Sequence, residues 1–295
     1  MNNAKFRLDF EVETCFDIDN KMEILLPDGS LIVFNKSRGK NYGSLFFKID
    51  QPSEDVAKNK GQQIVEDFLT HLLITKSNLE KIKPIKVLHN PELLNPEDFT
   101  GIPITVSKSL SMSVVIAVKL EQKELTETSD LISKIEKLSE KEKNIIRRSL
   151  RWFRKASETD GEDKFIFRWI SFEALLGLLE KAKATHKLIS EFIDRFLETE
   201  TACRLFQKHQ QIIRDLSAAY LVSFRGVNYG EKLCSFLKEK KHPRAVLPKV
   251  ALCIYEVRNE LFHKGEVLKL MKGSSSFLGD IIRECLKFYV QRDNH

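Results

Sequence analysis

The run Arg258-Asn259-Glu260-Leu261-Phe262-His263 brings together the residue types best suited to chemistry in this chain. A neutral imidazole takes up a proton near physiological pH, and its conjugate acid returns one. A guanidinium stays charged, and its fork of donors suits the extra negative charge of a phosphoryl transition state. Together, Arg258 and His263 would serve the cleavage of RNA. There the 2′-hydroxyl supplies the nucleophile, so neither a metal nor another cofactor is called for. Asn259 stands one helical turn before His263 and could orient the ring or bind the substrate backbone. The run lies near the end of an apolar helix carrying Val250, Leu252, Ile254 and Val257, and Gly265 follows it.

Spacing alone does not select this run. With seven histidines in the chain, an Arg and a His separated by four to six residues occur about once by chance. Arg204-Leu205-Phe206-Gln207-Lys208-His209 is a second match. The ordinary reading of either is a solvated helix end whose basic residues sit near the negative end of the macrodipole. Other signatures are missing. The chain has no phosphate-cradling glycine loop, no dinucleotide fingerprint, no H-E-x-x-H and no G-x-S-x-G.

The segment CIYEVRNELFHKGE resembles the hallmark of the HEPN superfamily (higher eukaryotes and prokaryotes nucleotide-binding), an R-x(4–6)-H motif with a polar residue, commonly Asn, directly after the Arg. Arg258, Asn259 and His263 occupy those three positions, whereas Arg204 is followed by Leu205. Upstream, SLRWFRKASETDGEDKFIFRWISFEALLG resembles the first helical pair of the Apea-like HEPN branch: an aromatic-rich helix, a short acidic loop and a second helix ending in Phe172-Glu173-Ala174-Leu175. The two blocks stand in the right order within residues 140–290.

The resemblance implies a compact all-α domain that dimerises and sets two Arg/His pairs across a shared cleft. Its active members are metal-independent endoribonucleases that leave a 2′,3′-cyclic phosphate and a 5′-hydroxyl, often in defence, toxin–antitoxin or RNA-processing settings. Carried over, His263 is the acid/base residue, Arg258 the binder of the phosphate and transition state, and Asn259 a positioning residue. The expected partners are RNA, a second copy of the chain and, as a control, a regulatory protein or nucleotide ligand. Other members are non-catalytic, so a silent dimerising or nucleotide-binding scaffold is the competing expectation. A toxin-like ribonuclease covered by a partner is a third.

Glu173 is the one acidic residue inside a helix that reads as buried. It either pairs with Arg258 and lines the cleft, or sits at a helix–helix rim. Arg147, Arg148, Arg151 and Arg154, interleaved with Trp152 and Phe153, form either a basic track for RNA or a solvated face with its rings in the core. Arg151 and Arg154 are the substrate-binding candidates in that run. Lys238 to Lys241, His242 and Arg244 read as a basic surface loop; Tyr220, Phe224 and Tyr229 read as packing residues.

The elements that must position these residues form an α+β chain whose texture changes near residue 125. In 1–125, Phe6, Leu8, Phe10 and Val12 alternate with polar residues as in a strand with one buried face. Pro27-Asp28-Gly29-Ser30 predicts a hairpin turn, 44–49 another strand and 62–75 a helix. Strands are also expected over 102–106 and 112–120. This α+β domain shows no catalytic constellation, and sensing or recognition is its expected role by analogy. Residues 126–295 predict an all-α domain. Ser139 and Glu142 make a capping box that opens a helix running toward Ala156. Further helices are expected near 164–180, 186–197, 204–223, 231–240, 247–263 and 277–290, punctuated by Gly226, Gly230, Pro243 and the run 273–276.

Composition sets the bounds. At 295 residues with 42% hydrophobic content, two cores are within reach. A net charge of +6 permits an anionic partner without requiring one. Five scattered cysteines form no C-x-x-C pair, which points to a reducing cytoplasm and no disulfide framework. The N-terminal residues lack the apolar run of a signal peptide, and no membrane segment is expected.

Overall fold

The computed structural model describes residues 4–12, 16–18, 21–37, 40–50, 53–76, 79, 85–94, 118–179, 184–223, 225–264 and 268–292. They form an antiparallel sheet with helices followed by an all-helical region, an α+β architecture in two compact units, Met1–Lys137 and Leu138–His295.

In the first unit the alternating apolar residues form β1 (Ala4–Val12), followed by the short β2 (Phe16–Asp17). The predicted hairpin joins β3 (Met22–Leu25) to β4 (Leu31–Ser37). Gly29 takes φ +82 in its turn, a conformation that costs a glycine nothing, and the Asp28 carboxylate accepts the Ser30 N–H at 2.9 Å. Next come β5 (Lys40–Ile49), α1 (Glu54–Thr75), β6 (Lys86–Val87), β7 (Glu92–Leu94), β8 (Val118–Lys119) and α2 (Gln122–Glu136). The sheet runs β3-β4-β5-β1-β6, with β7 also pairing β1, while β2 pairs β8 in parallel. The register Phe6↔Phe47, Leu8↔Leu45 and Phe10↔Gly43 puts the large apolar side chains of β1 on one face. The Phe10 ring occupies the space that a Cβ at Gly43 would need. α1 covers this face, with Gly61 against Leu8 and Phe47, and Phe68 6.0 Å from Phe34. The strand expected over 102–106 and most of that over 112–120 lie outside the described residues.

The boundary falls at Lys137/Leu138 rather than at 125/126. α2 belongs to the first unit: Ser129 donates to the Leu25 carbonyl at 2.9 Å, Thr75 and Thr128 share a 2.7 Å hydrogen bond, and Lys76 pairs with Glu124. Helical periodicity announces a helix but not the body against which it packs.

The second unit opens with α3 (Glu140–Glu158), capped reciprocally by Ser139 and Glu142 as expected. α4 (Gly161–Leu175) returns beside it, and Ser149 and Ser171 each donate a hydroxyl to the other's carbonyl at 2.9 Å. A 3₁₀ turn (Leu176–Leu178) ends α4. α5 (Thr185–Phe196), α6 (Thr199–Lys208), α7 (Gln210–Ala218), α8 (Tyr229–Lys238), α9 (Pro243–Lys264) and α10 (Leu268–Arg292) complete the bundle. Val246, Leu247, Val250, Ala251, Cys253, Ile254 and Val257 make α9 its buried spine.

Two expectations are corrected here. The single helix read over 204–223 is two helices, α6 and α7, meeting at His209. The run 273–276 is not a break but the interior of α10. A Cβ at Gly273 would stand 2.9 Å from the Ile212 side chain, so small residues here let α10 approach α7 closely. No described helix is long and apolar enough to cross a membrane.

Candidate functional site

α9 carries the whole RNELFH run in unbroken helix up to Lys264. The buried spine ends at Val257, and the next residues, Arg258, Asn259 and Glu260, are half-buried. Arg258 Nη1 donates to Asn259 Oδ1 at 3.1 Å, and Asn259 Nδ2 donates to Glu256 Oε2 at 3.2 Å. The amide thus joins a guanidinium to a carboxylate and fixes its own orientation by doing so. The Glu256 side chain is only 4% exposed. Burial pushes its carboxyl above the ordinary carboxylate range, and the nearby Glu260 adds to this against the Asn259 hydrogen bond. Burial, with Glu256 close by, also raises the Cys253 thiol to about 12, so that cysteine stays protonated and inert.

Helix phase decides how the motif residues stand to one another. At about 100° per residue, positions 259 and 263 are some 40° apart, one turn along a common face. Positions 258 and 263 are about 140° apart around the axis. Asn259 therefore shares the His263 face while its side chain reaches sideways to hold the Arg258 guanidinium. The His263 side chain itself lies outside the described residues. Glu256 escaped the sequence reading, although its place one turn before Asn259 was an available signal.

The second Arg-x4-His match has a different fate. His209 is 6% exposed and its Nε2–H donates to Asp280 Oδ2 at 2.8 Å. Lys208 Nζ is 2.7 Å from the same carboxylate, and Arg283 Nη1 donates to its other oxygen at 3.1 Å. Burial alone would raise the Asp280 carboxyl, but the hydrogen bonds from His209 and Lys208 and the Arg283 charge hold it at about 2. Arg204 pairs with Glu284 at 2.9 Å. Both motif residues are thus committed to α10. The buried Arg168 donates Nη1 to the Ser275 carbonyl at 2.7 Å, and Arg168 and Arg283 both lie against the Phe153 ring, at 5.8 and 5.2 Å from its centroid. Neither arginine, nor Asp280, was legible beforehand, because each pairs across a long stretch of sequence.

The remaining candidates are dispersed. Glu173 is exposed, and no described hydrogen bond or ion pair joins it to Arg258, which is the rim placement. Its neighbours Phe172, Ala174 and Leu175 are buried, so α4 leaves a narrow solvent-facing strip at this position. Arg151 is exposed, and Arg154 Nε donates to Glu158 one turn on at 3.1 Å. Phe153 is in the core, whereas Trp152 is half-buried and stacks on Phe167 at 5.5 Å, with Lys155 Nζ 4.9 Å from the Phe167 ring. Arg244, read as part of a loop, lies in the first turn of α9 and donates to the Asp194 carbonyl at 2.8 Å. Tyr220 does not pack: it is 78% exposed. Phe224 lies outside the described residues.

Among the described residues no group of three or more His, Cys, Asp or Glu side chains is arranged to hold a metal ion. No family model matches the sequence, and no curated protein or solved structure shows significant similarity to it.

Proposed function

We propose that the helical unit is a metal-independent endoribonuclease of HEPN type, acting as a homodimer on RNA. The observation that carries this reading is the hydrogen-bonded chain Arg258–Asn259–Glu256 near the C-terminal end of α9, with Asn259 one turn before His263. In the proposed reaction the His263 imidazole takes the 2′-hydroxyl proton. The freed oxygen attacks the adjacent phosphorus, the P–O5′ bond breaks, and the 5′-oxygen leaves with a proton returned by an imidazolium. The products are a 2′,3′-cyclic phosphate and a 5′-hydroxyl. Arg258 holds the phosphate and meets the charge that grows in the transition state. Asn259 positions Arg258 through its side-chain oxygen.

The angular separation of positions 258 and 263 favours a composite site. Residues about 140° apart on one helix address different directions, so two copies related by a two-fold axis bring an Arg and a His together more readily than one copy does. Purified protein incubated with single-stranded RNA in EDTA is expected to give fragments with cyclic-phosphate ends, and His263→Ala to give none. Absence of cleavage by the wild type, combined with a stable dimer, would replace this reading with a silent scaffold.

A further inference from the structure

α5, the start of α8 and the middle of α9 border an open cleft of about 600 Å³. Four cationic side chains, Lys187, Arg195, Lys232 and Lys249, line it against two carboxylates. One of these carboxylates, Asp194, lies within the field of Arg244 and Lys249. Leu252 and the Tyr229 ring supply apolar surface, with Lys232 Nζ 5.7 Å from the ring centroid.

Tyr229 stands on a rigid support. Its N–H donates to the Leu221 carbonyl at 2.8 Å, Asn228 caps α8 by accepting the Glu231 N–H, and Gly230 lies so close to the Ala219 carbonyl that a Cβ would be 2.0 Å from it. Burial and then the proximity of Glu256 keep the phenol protonated, so it is a hydrogen-bond donor as well as a ring.

The cleft is placed with respect to the motif by helix phase. Taking Lys249 as zero, positions 252, 256, 259 and 263 fall within about 80° to one side, whereas 258 is about 180° away. Position 263 therefore lies on the same side of α9 as Lys249, about 21 Å further along the axis, with the buried Leu252 and Glu256 between them. Such a combination of separated point charges and a half-buried ring lining the cleft suits a chain of phosphates carrying bases better than a single compact anion.

We propose that this cleft is a binding subsite for a single-stranded nucleotide chain, with Lys187, Lys232 and Lys249 on backbone phosphates and Tyr229 against a base. As an RNA subsite it rests on the ribonuclease reading.

The test uses full-length His263→Ala protein, a fluorescent single-stranded oligoribonucleotide in EDTA, and anisotropy titrations at several salt concentrations. Lys187→Gln/Lys232→Gln in that background should weaken binding at least tenfold and flatten the log–log salt slope by about 1.4, two phosphate contacts' worth. Tyr229→Leu should cost about fivefold or more with little change of slope. Lys187→Arg/Lys232→Arg should bind as the parent does. A control pair of exposed lysines elsewhere, Lys141→Gln/Lys238→Gln, should keep most of the affinity and the slope; an equal loss there would mean diffuse attraction and overturn the subsite. Binding of a free mononucleotide without binding of the strand would overturn it too, as would unchanged strand affinity in the Lys187/Lys232 double variant. Wild-type protein that cleaves RNA while the double variant binds normally sinks only the subsite. Strand binding that depends on these lysines without any cleavage sinks only the ribonuclease reading.

Discussion

Two regions of the helical unit hold an arginine and a histidine at identical spacing, and they are built for opposite ends. Around His209 each charge has a partner: the buried Asp280 gathers the buried His209 and Arg283 together with the exposed Lys208, and the exposed Arg204 reaches Glu284. Around Arg258 the guanidinium is held by an amide at the end of a spine, and the carboxylate behind that amide is buried. The first arrangement lowers the pKa of its carboxyl and the second raises it. A carboxylate held by an arginine, a lysine and a histidine N–H is a fastening. A buried carboxylate hydrogen-bonded by an amide, with another glutamate nearby, holds its neighbours at a cost.

The largest effect expected from this contrast is on activity. His263→Ala or Arg258→Ala should reduce RNA cleavage by about 10²–10⁴-fold, the range of a lost acid/base or charge-stabilising group, with the thermal midpoint near that of wild type. His209→Ala should lower the midpoint instead, and any folded fraction should cleave at the normal rate per molecule. Single-turnover assays beside thermal melts separate the two, and loss of cleavage in a stably folded His209 variant would reverse the assignment of the sites.

Next in size is stability. Asp280→Asn leaves Arg283, Lys208 and His209 around an uncharged amide deep in the bundle, and should cost about 3–5 kcal/mol in urea unfolding. The same carboxyl predicts an acid limb. Its folded pKa of about 2 lies below the ordinary 3.8, so its contribution is complete above that ordinary value and is lost as pH falls through about 2. Across this window wild type should lose about 2 kcal/mol that Asp280→Asn does not; parallel curves for the two proteins would contradict it.

Glu256 should show the smallest effect, with the opposite sign. A folded pKa raised by burial means that its favourable contribution exists below the unfolded pKa and disappears as pH rises through the folded value. Glu256→Gln therefore removes a penalty at neutral pH and should leave stability equal or up to about 1 kcal/mol higher there, with no gain in acid. If the Asn259 bridge matters for catalysis, the same variant should shift the pH–rate profile of cleavage; an unaltered profile with unaltered kcat would reduce Glu256 to a packing residue.

Much of the fold was readable because its causes are local. The β1 alternation, the Asp28-Gly29 turn and the Ser139–Glu142 box each depend on residues a few positions apart. The break at His209 was not readable. The apolar stripe of Leu205, Ile212, Ile213 and Leu216 continues across it, and the histidine's partner is Asp280, 71 residues away. The same holds for 273–276, where Gly and Ser predict a loop and the approach of α7 makes them helical. α2 announced itself as a helix, but only its contacts with α1 and β3 assign it to the first unit.

For the candidate site, sequence by itself determined the residue types and their order: Arg258, Asn259 and His263 on one apolar helix, set apart from Arg204 and His209 by the asparagine. Tertiary structure decided which partners the arginine of each match meets. Burial and partner identity are set by helices distant in sequence, so α10 draws His209 and Arg204 into polar pairs, while on α9 Arg258 donates to its neighbour Asn259, which donates in turn to a buried Glu256. Equal spacing gives equal geometry along a helix; the partners that other helices bring to it determine what that geometry is used for.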